Sequence, residues 1–317
     1  MKEFTVSSTD ESQRLEKYLM KIFPEASKSF LYKMLRKKNI TLNNKKAKGN
    51  EHLVAGDVIK IFFSDETFLK FSKKEEESLP QKEVHLEIVY EDEDILLVNK
   101  PSGVLTQKAK PEDYSLNEQI LDYLALKGKR TEMFKPSVCN RLDYNTSGIV
   151  TAGITYRGTR YLNELFKERT VDKKYLALVL GVMKEDIHHT AYLLKDEKTN
   201  QVKIMNKPLK GAVAIETSYH PLGNNGRYTL VEAKLITGKS HQLRAQLAFL
   251  HYPIVGDGKY GNKKENDFVY KKYHLSHQLL HSFSLEFENG KKFKARLPKI
   301  YEEIVKAEGL LGYVNME

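Results

Sequence analysis

Short apolar runs divided by polar turns recur from residue 86 to residue 287, and they outnumber the stretches with helical periodicity. Runs 86–90, 95–99, 174–180, 216–222, 228–236 and 283–287 read as strands. Between them, 116–126 reads as a helix, and Leu247, Ala248 and Leu250 mark another after residue 240. A doubly wound parallel sheet needs a crossover helix for nearly every strand, so the pattern predicts an α+β domain with a mixed, mostly antiparallel sheet.

The first 63 residues follow a different rule. Leu15, Tyr18, Leu19, Ile22 and Phe23 form the stripe of an amphipathic helix closed by Pro24. Ser27 is placed to cap a second helix with Phe30, Leu31, Met34 and Leu35 on its apolar face and Lys28, Lys33, Arg36 and Lys37 on the other. A strand at 40–42, a turn at Asn43-Asn44-Lys45 and a strand at 58–62 entered through Gly56-Asp57 complete the unit. Residues 64–83, with the charge run Lys73-Lys74-Glu75-Glu76-Glu77 and Pro80, read as a solvated linker. The expected organisation is therefore a small helix-pair and hairpin domain at 1–63, a linker at 64–83 and a larger domain at 84–317.

Charge points to a polyanionic partner. The chain of 317 residues carries a net +10, and the first 63 residues hold thirteen basic against seven acidic side chains. From Lys28 to Lys48 there are eight basic residues, among them Lys38 and Lys45, and no acid, which favours contact with a phosphate backbone over a merely solvated face. With 40% apolar residues and a single cysteine, Cys139, the chain is neither a disordered tail nor a disulfide scaffold. Its most apolar stretch, 175–182, is far short of the roughly 20 residues that span a bilayer. A soluble cytoplasmic protein without membrane contact is expected.

Two polar clusters carry the candidate chemistry. Asn140-Arg141-Leu142-Asp143-Tyr144-Asn145-Thr146-Ser147-Gly148 sets an Arg, an acid, two hydroxyls and a Gly before an apolar strand. Such loops assemble sites, but the same residues form turns, and on its own the segment reads more readily as a capped turn than as a nucleophile. Thr237-Gly238-Lys239-Ser240-His241-Gln242-Leu243-Arg244 ends a strand and opens a helix. It is not a phosphate-binding loop, because Ala233 stands where that motif requires Gly. A cation such as Arg244 beside a buried carboxylate keeps that carboxylate ionised, or forms a structural ion pair.

Residues 12–63 resemble the S-four-type RNA-binding module, through Arg14-Leu15-Glu16-Lys17-Tyr18-Leu19, Ser27-Lys28-Ser29 and the basic helix with its hairpin. The run Arg141-Leu142-Asp143-x-x-Thr146-Ser147-Gly148 resembles the active-site motif of the RluA-type pseudouridine synthases, which isomerise uridine in RNA. Matches in the same order follow at Asn99-Lys100-Pro101-Ser102-Gly103, Lys173-Lys174-Tyr175-Leu176-Ala177, Gly238 to Arg244, Pro253-Ile254-Val255-Gly256-Asp257 with Tyr260-Gly261, and Gln278-Leu279-Leu280-His281-Ser282. The resemblance implies that Asp143 is the nucleophile, that Tyr175 stacks on the target base and serves as general base, and that Arg244 pairs with Asp143. It also implies that Arg141 helps to hold the nucleotide out of its stack. Isomerisation neither consumes nor releases a small molecule, so no cofactor is implied. Large-subunit ribosomal RNA is the expected substrate, with transfer RNA as the alternative, and a monomer is expected.

Asn140, Tyr144 and Ala245-Gln246 depart from the family pattern and are read as shifts in RNA contact. Two rival functions compete with this reading: a catalytically inactive ribosome-assembly factor, which the joint presence of Asp143, Tyr175 and Arg244 argues against, and an RNA methyltransferase, for which no glycine-rich strand-turn-helix exists. His274, His277 and His281 have a metal-like spacing but no completing acid or thiol, so no metal is expected. His188-His189 reads as a turn, and Cys139 as a buried small residue.

Overall fold

The computed structural model describes residues 1–72, 84–129, 134–196 and 199–314. In the N-terminal part, β1 (Lys2–Thr5), α1 (Leu15–Ile22), α2 (Lys28–Arg36), β2 (Ile40–Leu42), β3 (Lys45–Lys46) and β4 (Val58–Ile61) pack around one apolar cluster. The strand order is β1-β4-β2-β3. Ser27 caps α2 by accepting from Phe30 N at 3.3 Å. Asn43 and Asn44 both adopt positive φ, which closes the β2–β3 turn.

The segment expected as a linker, 64–83, opens with a helix. Residues Asp65–Phe71 form α3, capped by the Ser64 side chain. Phe68 is buried, with its ring 5.2 Å from Phe23, and the Phe71 ring packs at a tilt 4.5 Å from Phe30. Three phenylalanines at 63, 68 and 71 hold this segment on the N-terminal core, a signal that the following charges obscured. The run Lys73–Glu77 and Pro80 lie outside the described residues.

The larger unit contains β5 (Ile88–Glu91), β6 (Ile95–Lys100), α4 (Leu116–Leu126), β7 (Ser137–Val138), β8 (Ser147–Gly153) and α5 (Tyr156–Glu168). It continues with β9 (Asp172–Leu180), β10 (Ile187–Asp196), β11 (Gln201–Met205), β12 (Val213–Asn224), β13 (Tyr228–Leu235) and α6 (Gln242–Phe249). Last come α7 (Lys263–Tyr273), β14 (Leu280–Glu286), β15 (Lys292–Lys294) and α8 (Lys299–Ala307). The sheet runs β11-β10-β12-β13-β9-β14-β8-β6-β5, with β15 on β14 and β7 on β8. Among the described residues β14 and β8 pair in parallel and the other ladders are antiparallel, which is the mixed α+β sheet the strand count predicted.

The middle of the sheet is packed on both faces. All residues of β6 and β8 are buried, as both faces of these strands are covered. Gly148 has φ +111° where β8 meets β14, and a Cβ there would lie 2.2 Å from the carbonyl oxygen of Ser282. Only glycine lets the two strands approach so closely. Register then carries a row from Gly148 through Ser282 to Tyr175 and Ala233, across β8, β14, β9 and β13.

The two units touch. Thr9 O accepts from Tyr156 N at 3.0 Å, and Arg157 reaches both Asp94 at 2.6 Å and Glu11 at 3.3 Å. His188 and His189, expected in a turn, instead lie in β10, whose partly exposed face made it look like a loop.

Candidate active site

Asp143 lies in the loop between β7 and β8, half-buried, and this loop is tied down at several points. Thr106 Oγ1 donates to Leu142 O at 2.8 Å and accepts from Leu142 N at 3.2 Å. Thr146 N donates to Asp143 O at 3.0 Å, closing a turn that leads into β8. Lys100, fully buried at the end of β6, gives its ammonium to Pro101 O, Val104 O and Tyr144 O at 2.8, 2.8 and 3.1 Å. Burial pulls Lys100 down to about 7, with the Asp143 charge acting in the opposite direction. Its three acceptors match the three N–H bonds of an ammonium and fix the backbone next to Asp143.

Arg244, in the first turn of α6, is buried between two carboxylates. Its Nη1 donates to Asp143 Oδ2 at 2.9 Å. Its Nε and Nη2 fork onto Asp257 at 2.7 and 3.0 Å. Asp257 also accepts from Lys259 N and Tyr260 N, at 2.8 and 3.0 Å. Burial would raise the Asp257 carboxyl, but the Arg244 guanidinium and these backbone N–H groups hold it below the ordinary carboxylate range. Burial likewise opposes the charge on Arg244, and Asp257 and then Asp143 outweigh it and raise its pKa. Arg244 was expected opposite Asp143; Asp257 is the partner that sequence reasoning left without a role, although it closes the Pro253–Asp257 motif.

Tyr175 is 7% exposed and packs in the cluster that also contains Leu142 and Leu243, the neighbours of Asp143 and Arg244. Burial pushes its phenol up to about 12, and Asp143 adds to the rise. The ring is thus a neutral, flat group beside the carboxylate at physiological pH. That suits it to stacking, whereas proton removal by Tyr175 requires the phenolate that this environment disfavours. Arg141 is exposed, two residues before Asp143. The structure therefore brings Asp143, Arg244 and Tyr175 into one neighbourhood.

The departures from the family pattern divide. Tyr144 is exposed, but Asn140 and Gln246 turn inward. Asn140 accepts from Thr151 N at 2.7 Å and donates to Ile149 O at 3.3 Å. Gln246 is fully buried and bonds Thr217, Tyr219 and His189. These two side chains are committed to partners within the fold, which corrects their reading as RNA contacts. Cys139 is only partly buried, and desolvation raises its thiol to about 11, the reverse of an activated nucleophile. His281 sits in β14 against Ser147 at 2.8 Å, while His274 ends α7, and among the described residues no group of three metal-ligating side chains is present.

The profile of the RNA pseudouridylate synthase family matches residues 94–249, a span that holds Asp143, Tyr175 and Arg244. An uncharacterized RNA pseudouridine synthase of Mycoplasma pneumoniae is 31% identical over 310 residues, covering 95% of this chain and 93% of that one. The chain belongs to the RNA pseudouridine synthase family. The synthase is also 31% identical over 302 residues to the ribosomal large subunit pseudouridine synthase C of Haemophilus influenzae, with 92% and 88% of the two chains covered. Human RNA pseudouridylate synthase domain containing 4 shares the fold, with a TM-score of 0.58 and 23% identity over 69% of the synthase and 91% of that chain.

Proposed function

We propose that this synthase isomerises uridines of large-subunit ribosomal RNA, with Asp143 as nucleophile, Arg244 as the cation that aims it and Tyr175 as the surface on which the everted base stacks. The observation that carries this reading is the buried guanidinium of Arg244, whose fork is committed to Asp257 while its remaining nitrogen meets Asp143 at 2.9 Å. A clamped cation of this kind positions a carboxylate without enclosing it. An aromatic face is worth roughly 1–3 kcal/mol to an unstacked base. Arg141, exposed at the loop, is the residue that on this reading helps to hold the everted nucleotide out of its stack. The ribosomal substrate is favoured by the names of relatives such as the Haemophilus influenzae synthase. All of these residues come from one chain, which fits a monomer, and the single cysteine fits a cytoplasmic protein.

The test is a pseudouridine map of ribosomal and transfer RNA with and without the synthase. Loss of signal at large-subunit sites is expected. Loss confined to transfer RNA would reassign the substrate, and an unchanged map would make the chain a binding factor.

We further propose that 1–63, with α3 packed on its core, is an S-four-like RNA-binding domain, joined through the chain beyond α3 to the catalytic domain at 84–317. Lys28, Lys33, Arg36, Lys37, Lys38 and Lys45 are all exposed, and among the described residues none is engaged in an ion pair, so their charge is available to phosphates. The triple variant Lys33→Glu, Arg36→Glu, Lys37→Glu is expected to bind substrate RNA at least about tenfold more weakly at moderate salt. Its log affinity against log salt should also flatten by roughly one for each phosphate that the variant no longer neutralises. Filter binding across a salt series measures both; an unchanged slope would remove this face from the RNA interface.

A further inference from the structure

One buried polar side chain in the site has no part in the reading above. His241 forms the N-terminal cap of α6 with a left-handed backbone, φ 54°, and its side chain is 11% exposed. Its Nδ1 lies 2.9 Å from the hydroxyl of Tyr260, and that hydroxyl accepts from Val202 N at 2.9 Å. A backbone N–H only donates, so the phenolic proton is left to be given, and among the described residues Nδ1 of His241 is the acceptor within reach. In the arrangement that uses the phenolic proton, Nδ1 accepts it and the neutral ring carries its own proton on Nε2. Burial favours the neutral ring; Arg244 and Lys259 act in the same direction, and Asp143 and Asp257 act against them.

Nε2 of His241 lies 3.9 Å from Oδ2 of Asp143, the oxygen that also takes Arg244 Nη1 at 2.9 Å. Among the described residues Oδ1 has no hydrogen-bond donor. The asymmetry is chemical as well as geometric. A carboxylate oxygen that accepts from a guanidinium has one lone pair committed and its charge stabilised, and the free oxygen is the better nucleophile.

We propose that His241 is a positioning residue: with its Nε2–H set by Tyr260, it joins Arg244 in holding Oδ2 of Asp143, so that Oδ1 is the oxygen presented to the substrate. The inference rests on the reading of Asp143 as nucleophile. The gap of 3.9 Å is longer than a hydrogen bond, and such distances tighten when substrate fills a site.

Two substitutions separate this role from a structural one. Asparagine is among the residues best tolerated in a left-handed backbone, but its amide reaches only as far as Nδ1; glutamine is less suited to that backbone, but its amide nitrogen reaches as far as Nε2. If His241 merely caps α6, His241→Asn will be the more active variant. If it holds Oδ2, His241→Gln will be the more active, and His241→Asn will lose on the order of 10²-fold in the single-turnover rate. KM for RNA should stay unchanged in both. The substrate is total RNA from cells lacking the synthase, which contains the target uridines whatever their RNA. Thermal melting of each full-length variant reports folding independently, and Tyr260→Phe, which removes the proton given to Nδ1, is expected to lower the rate with KM unchanged. An Asn variant as active as the Gln variant would overturn the proposal. Measured beside them, an active Asp143→Asn would instead overturn the nucleophile reading on which it rests.

Discussion

Asp143→Asn is expected to end pseudouridine formation, with a fall of at least about 10⁴-fold in rate, while RNA binding and stability stay near those of the parent protein. The substitution keeps the shape of the side chain and replaces a carboxylate by an amide, which is not a nucleophile. Its structural cost is small because Arg244 does not depend on Asp143 for neutralisation: the fork onto Asp257 persists, with its distances of 2.7 and 3.0 Å. The turn that holds the loop is made by the backbone oxygen of Asp143, which the substitution leaves in place. Chemical probing for pseudouridine, paired with filter binding and a melting curve, checks all three statements. Conversion near the parent rate would show that some other group attacks the substrate.

Asp257→Asn should differ by losing stability together with activity. Asp257 has no exposed side-chain surface and supplies both acceptors of the Arg244 fork. Its loss leaves a buried guanidinium whose remaining carboxylate, Asp143, lies at the edge of the site. Breaking one partner of a buried pair costs about 3–5 kcal/mol, so urea denaturation should reveal a clear fall in stability. Activity should fall as well, because Nη1 is no longer held where Asp143 needs it. The pH dependence has a definite sign. A carboxyl held below its unfolded pKa adds stability above the ordinary carboxylate range and loses it as the pH falls through the folded value. The parent protein should therefore lose stability on acidification more steeply than Asp257→Asn. Equal acid profiles would mean that the fork is not the stabilising element.

These two carboxylates also show what a sequence discloses and what it withholds. Elements with strong local signals were readable: α2 begins after Ser27, and α4 spans 116–126 behind the capping pair of Ser115 and Glu118. Elements stabilised mainly by their neighbours were not. β1 has four residues, and α7 is mostly charged, with Val269 and Glu265 as its buried side chains. In β10 and β11 most residues are exposed or half-buried, so neither strand was legible and His188-His189 read as a turn. In the site, Asp143, Tyr175 and Arg244 were found through the resemblance of their motifs, and geometry draws them together. The part of Asp257 was hidden because it is decided by a loop folding back over α6, which no spacing rule describes. His241 was passed over for a similar reason, since its tautomer depends on a hydroxyl nineteen positions away that is itself anchored to β11.

One guanidinium shared by two carboxylates has an effect on traffic into the site. The chain as a whole is strongly cationic, yet around Arg244 positive charge is already fully matched. A phosphate that moved toward Arg244 would shed its hydration and meet a guanidinium whose charge two carboxylates already balance, whereas a pyrimidine ring carries no such penalty. On the proposed reading, Arg244 therefore offers a phosphate little net attraction, and the nucleobase rather than the ribose-phosphate strand is the part of the substrate that approaches it.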